Sequence, residues 1–308
     1  MISKELGDYV RSWRFIILFI VIIFACLGSI YTSLSGFAEE VKKLSGDDGF
    51  FFLRLFTVGD GSHFSFTDMV GYLGPLLGIS LGFDAINSEH NRGTLSRMLS
   101  QPVYRDYIII SKFTASLTVI GALFMLLTLT VFGWGLASVG IPPTFDEVMR
   151  LISFTLLNIV YVAFWLNLSL FFSVKFRQAA TSALSGIAVW LFFTIFYNII
   201  LNLVARGILT KHQITSEVQA TAFQNFMLEL MRFNPCYMFT EATGTLLVPE
   251  ARIGFFTTEQ TIGALPTSLP LGQSVLMVWP HVTVLVAGSI LLFALGYYSF
   301  MRREIRSR

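Results

Sequence analysis

Long apolar runs separated by short charged segments set the pattern of this chain. A helix that crosses a bilayer core needs about 20 mostly apolar residues. Six segments reach that length: residues 15–34, 66–86, 107–139, 148–174, 179–204 and 275–300. The second is weaker and carries Gly71, Gly74, Pro75, Gly78 and Gly82. Small residues let neighbouring helices come close, so this segment is expected against protein rather than lipid. The third is longer than one crossing requires, which predicts tilt or projection. In residues 1–14, Leu6, Tyr9, Val10 and Trp13 recur at helical spacing, with Lys4, Glu5, Asp8 and Arg11 between them. That pattern predicts an amphipathic helix on the membrane surface, with Trp13 at headgroup depth. Residues 36–65 are mixed in charge and hold the aromatic cluster Phe50, Phe51 and Phe52.

Residues 206–274 form the largest segment between spans. Within it, residues 214–233 read as an amphipathic helix, with Val218, Ala222, Phe226 and Leu230 on one face. Asn234 and Pro235 read as its stop. Pro249, Pro266 and Pro270 among glycines and threonines predict loop beyond it. The predicted fold is an all-α membrane protein in one domain. It has six transmembrane helices, an N-terminal interfacial helix, a short cytoplasmic helix between spans two and three, and a helical and loop outer region.

Composition agrees. The 308 residues are 54% hydrophobic and only 13% charged, with mean hydropathy +0.69. Soluble domains carry about 25% charged residues, so most of this surface is expected to face lipid. A net charge of +2 gives no electrostatic footprint for nucleic acid. Most of the 21 Lys and Arg residues fall in four short segments: Lys4, Arg11 and Arg14; Arg92, Arg97, Arg105 and Lys112; Lys175 and Arg177; and Arg302, Arg303, Arg306 and Arg308. The others, Arg150 and Arg232 among them, are expected in longer outer loops. This bias predicts both termini, and the segment after span two, on the cytoplasmic side of the inner or plasma membrane. Cys26 lies in an apolar run and Cys236 in a loop, so neither a disulfide nor a metal site is expected. The first apolar run is too long for a signal-peptide core and is expected to stay as an anchor.

The chain has no G-x-x-x-x-G-K-[ST] phosphate loop and no H-E-x-x-H. Ser185 beside Gly186 raises the alternative of an intramembrane enzyme. Its partner base is missing if His63, His90, His212 and His281 all lie at helix ends or in loops. The polar residues expected at membrane depth are Asn158, Asn167, Asn198 and Asn202. They are candidates for a substrate path or for ordinary hydrogen bonds between helices.

Residues 83–112 interrupt the apolar pattern with charges, Gly93 and Pro102. Gly93 suits a helix C-terminus, and Thr94 offers a hydroxyl to cap a new helix. Leu95, Met98 and Leu99 give that helix one apolar face, Arg97 lies opposite, and Pro102 closes it. So short a helix needs support from outside itself. The residues alone allow an interfacial turn that only reverses the chain, or a docking element.

The same run resembles the permease subunits of type-2 ABC exporters. The matching positions are Glu89, Gly93-Thr94-Leu95, Met98-Leu99, Pro102, Arg105 and Lys112. The N-terminal pattern of Lys4, Glu5, Leu6, Asp8 and Arg11 fits as well, as does Asn234-Pro235 before the last span. His90-Asn91 and the long outer region depart from it. The resemblance implies a second permease copy, identical or not, and two cytoplasmic ATPase subunits that bind ATP and magnesium. The permease itself would hold no cofactor and no catalytic site. It implies that Glu5, Asp8, Arg11, Glu89, Arg92, Gly93, Thr94, Leu95, Arg97, Met98, Leu99 and Pro102 couple to the ATPase. An alternative within the resemblance is a permease that relays force to a periplasmic or envelope partner without moving cargo.

Overall fold

The computed structural model describes residues 1–43, 51–57, 65–91, 93, 104–139, 142–211, 217–248 and 269–302, and among these the only regular structure is helix. Helix α1 (Ile2–Val10) meets α2 (Trp13–Lys43) at a 63° bend. The chain continues through α3 (Phe51–Thr57), α4 (Phe66–Gly82) and α5 (Asn87–Asn91). Two long helices follow, α6 (Arg105–Val139) and α7 (Phe145–Lys175). Then come α8 (Ala179–Leu191), a π-helical turn (Phe192–Phe196) and α9 (Tyr197–Lys211). The last three are α10 (Glu217–Met231), α11 (Pro235–Leu247) and α12 (Leu271–Arg302).

Among the described residues, five helical stretches are long and apolar enough to cross a membrane: Phe66–Glu89, Arg105–Ala137, Phe145–Lys175, Ala179–Ile208 and Leu271–Arg302. A sixth is counted when the bent pair of α1 and α2 is taken as one span. Their limits fall within a few residues of the apolar runs in the sequence.

Helix α7 is the centre of the fold. Phe154, Leu157, Tyr161, Val162, Trp165 and Leu166 on it are all at most 2% exposed. It starts at a capping box, in which Thr144 accepts from the Glu147 amide and Glu147 accepts from the Thr144 amide. Glu147 also accepts from the Phe52 amide at 3.0 Å, which ties α3 to the start of α7.

Helix α4 lies on α7 along its glycines. A Cβ on Gly78 would stand 2.7 Å from the Val162 carbonyl oxygen, and one on Gly82 would stand 2.9 Å from that of Leu166. The backbones are therefore in contact, and only glycine fits. Pro75 lies inside α4 and cannot donate to the carbonyl of Gly71. The Tyr161 hydroxyl donates to that oxygen instead, at 3.1 Å.

At one end of the bundle, Ile86, Ile108, Ile109, Val174 and Phe300 form a buried cluster. They join the ends of α7 and α12 to the start of α6 beside α1. We call this the near end. The far end holds α3, α10, α11 and the starts of α7 and α12.

Four expectations from the sequence need correction. Residues 235–247 form a helix rather than loop. Helix α10 ends at Met231, just before Asn234 and Pro235, and the same pair also starts the next helix: Asn234 accepts from the Cys236 amide as an N-cap and Pro235 takes the first turn. Helix α10 buries Met227 and Leu228, whereas Phe226 is 48% exposed. In α1 Glu5, read with the polar residues between the apolar positions, is the buried side chain. His281 and Arg150 sit within α12 and α7 rather than in loops, and both are buried.

Candidate functional site

At the near end, three segments distant in sequence meet on one ammonium group. Lys112 Nζ donates to Glu5 Oε2 at 2.9 Å and to Glu89 Oε1 at 2.8 Å. The side chains of Lys112 and Glu5 are about 4–5% exposed, and that of Glu89 is 16% exposed. The reason α1 turns Glu5 inward is this partner: a carboxylate buried without a cation would be far costlier. Leu6 and Tyr9 pack beside it against the core. Arg14 pairs with Asp84, and its guanidinium lies 5.0 Å from the centroid of the Phe83 ring.

The turn after α4 is held just as closely. Ser173 Oγ on α7 accepts from the amides of Ile86 and Asn87 at 3.0 and 3.3 Å. The Asn87 side chain donates back to the Phe83 carbonyl, and Asn91 Nδ2 donates to the Arg177 carbonyl. Gly93 has φ of +69°, the left-handed conformation that glycine adopts at low cost after a helix end. A cleft of about 510 Å³ lies between α1 and the ends of α4 and α5, with Glu5, Asp84, Glu89 and Lys112 in its wall.

The structure thus joins two of the residues named from the sequence, Glu5 and Glu89, through a third group. Asp8 is exposed on α1, and Arg11 is exposed at its C-terminal cap. Arg92, Thr94, Leu95, Arg97, Met98, Leu99 and Pro102 lie outside the described residues.

The four asparagines do not converge. Asn158 is fully buried in α7, and its amide has no hydrogen-bond partner among the described residues. Asn167 donates to Ser289 Oγ on α12 at 2.6 Å. Asn198 and Asn202 are exposed on α9 and donate to carbonyls one turn back. Ser185 Oγ likewise donates to the Thr181 carbonyl within α8.

The far end carries polar clusters that the sequence reading missed. Arg150, fully buried, donates to Asp146 Oδ2, to the carbonyls of Leu246 and Leu269, and to Ser274 Oγ. It pins α11 and α12 to α7. Glu241 on α11 accepts from Arg232 at 2.7 and 3.1 Å and pairs with His281 Nε2 at 2.9 Å. Burial works to raise the Glu241 pKa, but the hydrogen bonds to His281 and Arg232 outweigh it and hold the carboxyl down at about 2. Thr144 with Glu147, a T-x-x-E box, and Asp146 with Arg150, an i,i+4 pair, are the local signals for this end. The bonds from Arg150 to Leu246, Leu269 and Ser274, and that from His281 to Glu241, join positions far apart in sequence and leave no local mark.

A sequence profile for ABC-2 family transporter proteins matches residues 1–305. Two curated relatives, each described as a probable ABC transporter permease protein NosY, come from Stutzerimonas stutzeri and Pseudomonas aeruginosa. Each is 28% identical over 209 residues, covering 64% of this chain and 67% of its own. Five apolar membrane-length helices and a sixth bent candidate suit such a protein. With that profile matching nearly its whole length, the chain belongs to the ABC-2 transporter family, as a multi-pass transmembrane permease subunit of an ABC transporter.

Proposed function

We propose that this permease couples ATP hydrolysis in two partner ATPase subunits to export of a substrate across the inner or plasma membrane, with its near end in the cytoplasm. The observation that carries the reading is the Glu5–Lys112–Glu89 cluster. It welds α1, the turn after α4 and the start of α6 into one body. A push on α1, or on the segment that follows Gly93, then reaches two membrane-crossing helices together. The exposed Asp8 and Arg11 face outward for the ATPase contact, and ATP and magnesium are bound by that partner. The chain itself holds no catalytic residues in this reading. The test is an Asp8→Arg, Arg11→Glu double variant, reconstituted with its ATPase in nanodiscs. It is expected to insert normally and to lose permease-dependent stimulation of ATP hydrolysis. Full stimulation would overturn the assignment.

The second permease copy sits on α8 and α9. Only 6% of that span is buried, against 67% for α7, and Asn198 and Asn202 stand on its exposed surface. Amides facing lipid are costly, whereas a neighbouring helix can use them. A cysteine replacing Asn198 is expected to cross-link between copies in native membranes, and monomeric behaviour would argue against this placement.

Relay of force to a far-side partner is the second reading. It is favoured by Arg150, which makes the far-end helices continuous with α7. An ATPase-coupled complex that moves no solute in vesicles, yet changes protease access to α10, would select it.

A further inference from the structure

A cleft of about 360 Å³ lies between the far half of α4, the π-helical turn with α9, and α11. Small-molecule sites span roughly 300–1,000 Å³, so this one suits a compact ligand. Its walls carry the hydroxyls of Thr67, Thr194, Thr240 and Thr243 and the rings of Tyr72 and Tyr237. No lysine, arginine or histidine is among the described residues lining it. Its one carboxylate, Asp68, is engaged by the amide and hydroxyl of Ser65 at the start of α4.

Two further observations point to an occupant. Thr243 is 4% exposed, and its Oγ1 has no hydrogen-bond partner among the described residues. A hydroxyl so placed is costly to leave unmet. The cleft also borders the π-helical turn, a feature frequent at functional sites. Asn234 Nδ2 donates to the Phe193 carbonyl of that turn at 2.7 Å, which fixes α11 against it.

The lining selects by chemistry. An anion would find no cation, and burying it unpaired is prohibitive. A cation would find a single carboxylate, with one oxygen already accepting from Ser65. An apolar ligand would strand the Thr243 hydroxyl. What remains is an uncharged molecule with hydroxyls. Thr243 offers one donor and two acceptor positions. Thr240 donates to the Cys236 carbonyl, Thr194 pairs with Cys236 Sγ and Thr67 with Ser65 Oγ, and these three keep lone pairs that can accept. The half-exposed tyrosine rings give flat apolar surfaces for C–H faces.

We propose that this cleft binds a neutral sugar, as one ring or a disaccharide. The inference rests on the permease reading only in treating the occupant as cargo; the site itself is tested by binding alone. Purified full-length permease in nanodiscs is examined by saturation-transfer NMR with maltose and N-acetylglucosamine, with glucosamine and glucuronate as charged controls. The expected result is saturable transfer from the neutral sugars only. Thr243→Val is expected to weaken it about tenfold, the effect of one lost hydrogen bond. Thr240→Val, at an exposed position, is expected to weaken it while keeping the thermal transition unchanged. No saturable transfer, equal transfer from the charged controls, or indifference to both variants would overturn the proposal and leave the cleft to water. Sugar binding that persists while ATPase stimulation fails would refute the coupling reading and spare this one.

Discussion

Replacing Lys112 by Met removes the ammonium that bridges two carboxylates. Its ammonium now sits 2.9 Å from Glu5 and 2.8 Å from Glu89. Breaking a buried pair by removing one partner costs about 3–5 kcal/mol, because a charge is left uncompensated. Glu5→Gln is milder. It leaves Lys112 paired with Glu89, and the amide oxygen still accepts, so the loss is about 0.5–1.5 kcal/mol. The gap between the variants is therefore at least ~1.5 kcal/mol, about tenfold in the undocked population of α1. Helix α1 has nine residues and cannot hold its own turns in isolation. Undocking melts it, so hydrogen exchange of its amides reads docking directly. In nanodiscs, Lys112→Met is expected to speed exchange over residues 2–10 at least about tenfold more than Glu5→Gln. The double variant retains one carboxylate instead of two and is expected to exchange more slowly than Lys112→Met alone. Equal acceleration in the two single variants, or no recovery in the double variant, would refute the electrostatic account.

Three further outcomes follow from the packing. Gly78→Ala pushes a methyl toward the Val162 carbonyl, which is backbone and cannot swing away; it is expected to destabilise by about 1–3 kcal/mol, read as a lowered Tm. Gly133→Ala, which meets nothing within 4 Å, serves as the control and is expected to leave Tm within a degree or so of the parent. Arg150→Met strands the carbonyls of Leu246 and Leu269 and is expected to cost about 2–4 kcal/mol, with faster hydrogen exchange in α11 than in α4. The Glu241 carboxyl titrates below the ordinary value of 4.5, so its stabilisation is fully present above pH 4.5 and is lost as pH falls toward about 2. Tm measured across that window is expected to fall more steeply for the parent than for Glu241→Gln, and matching slopes would refute the assignment.

The spans were legible because a membrane crossing demands a continuous apolar run, and nothing else in the sequence mimics one. The glycines of α4 were legible for a related reason: Gly74, Gly78 and Gly82 recur one turn apart, on one face. Less could be read of what joins the helices. Glu5 looked like one more polar residue of a surface helix, since its partner lies 107 positions away. Arg150 reads as a loop residue and His281 as one at a helix end or in a loop, although each lies inside a long helix and is hydrogen-bonded by groups distant in sequence. Asn234 and Pro235 carried an ambiguous signal, because the dipeptide that ends one helix can cap the next. Gly93 was read correctly as a helix-ending residue, while the short helix expected after it lies outside the described residues.

The seam between α4 and α7 also limits how the permease can work. If α4 rotated about its axis by a single residue, Leu77 or Leu81 would come where Gly78 or Gly82 now lies against the Val162 and Leu166 carbonyls. Rotation of α4 against α7 is therefore sterically blocked. Freedom to turn belongs instead at looser boundaries, such as the strip of α8 and α9, of which 6% is buried.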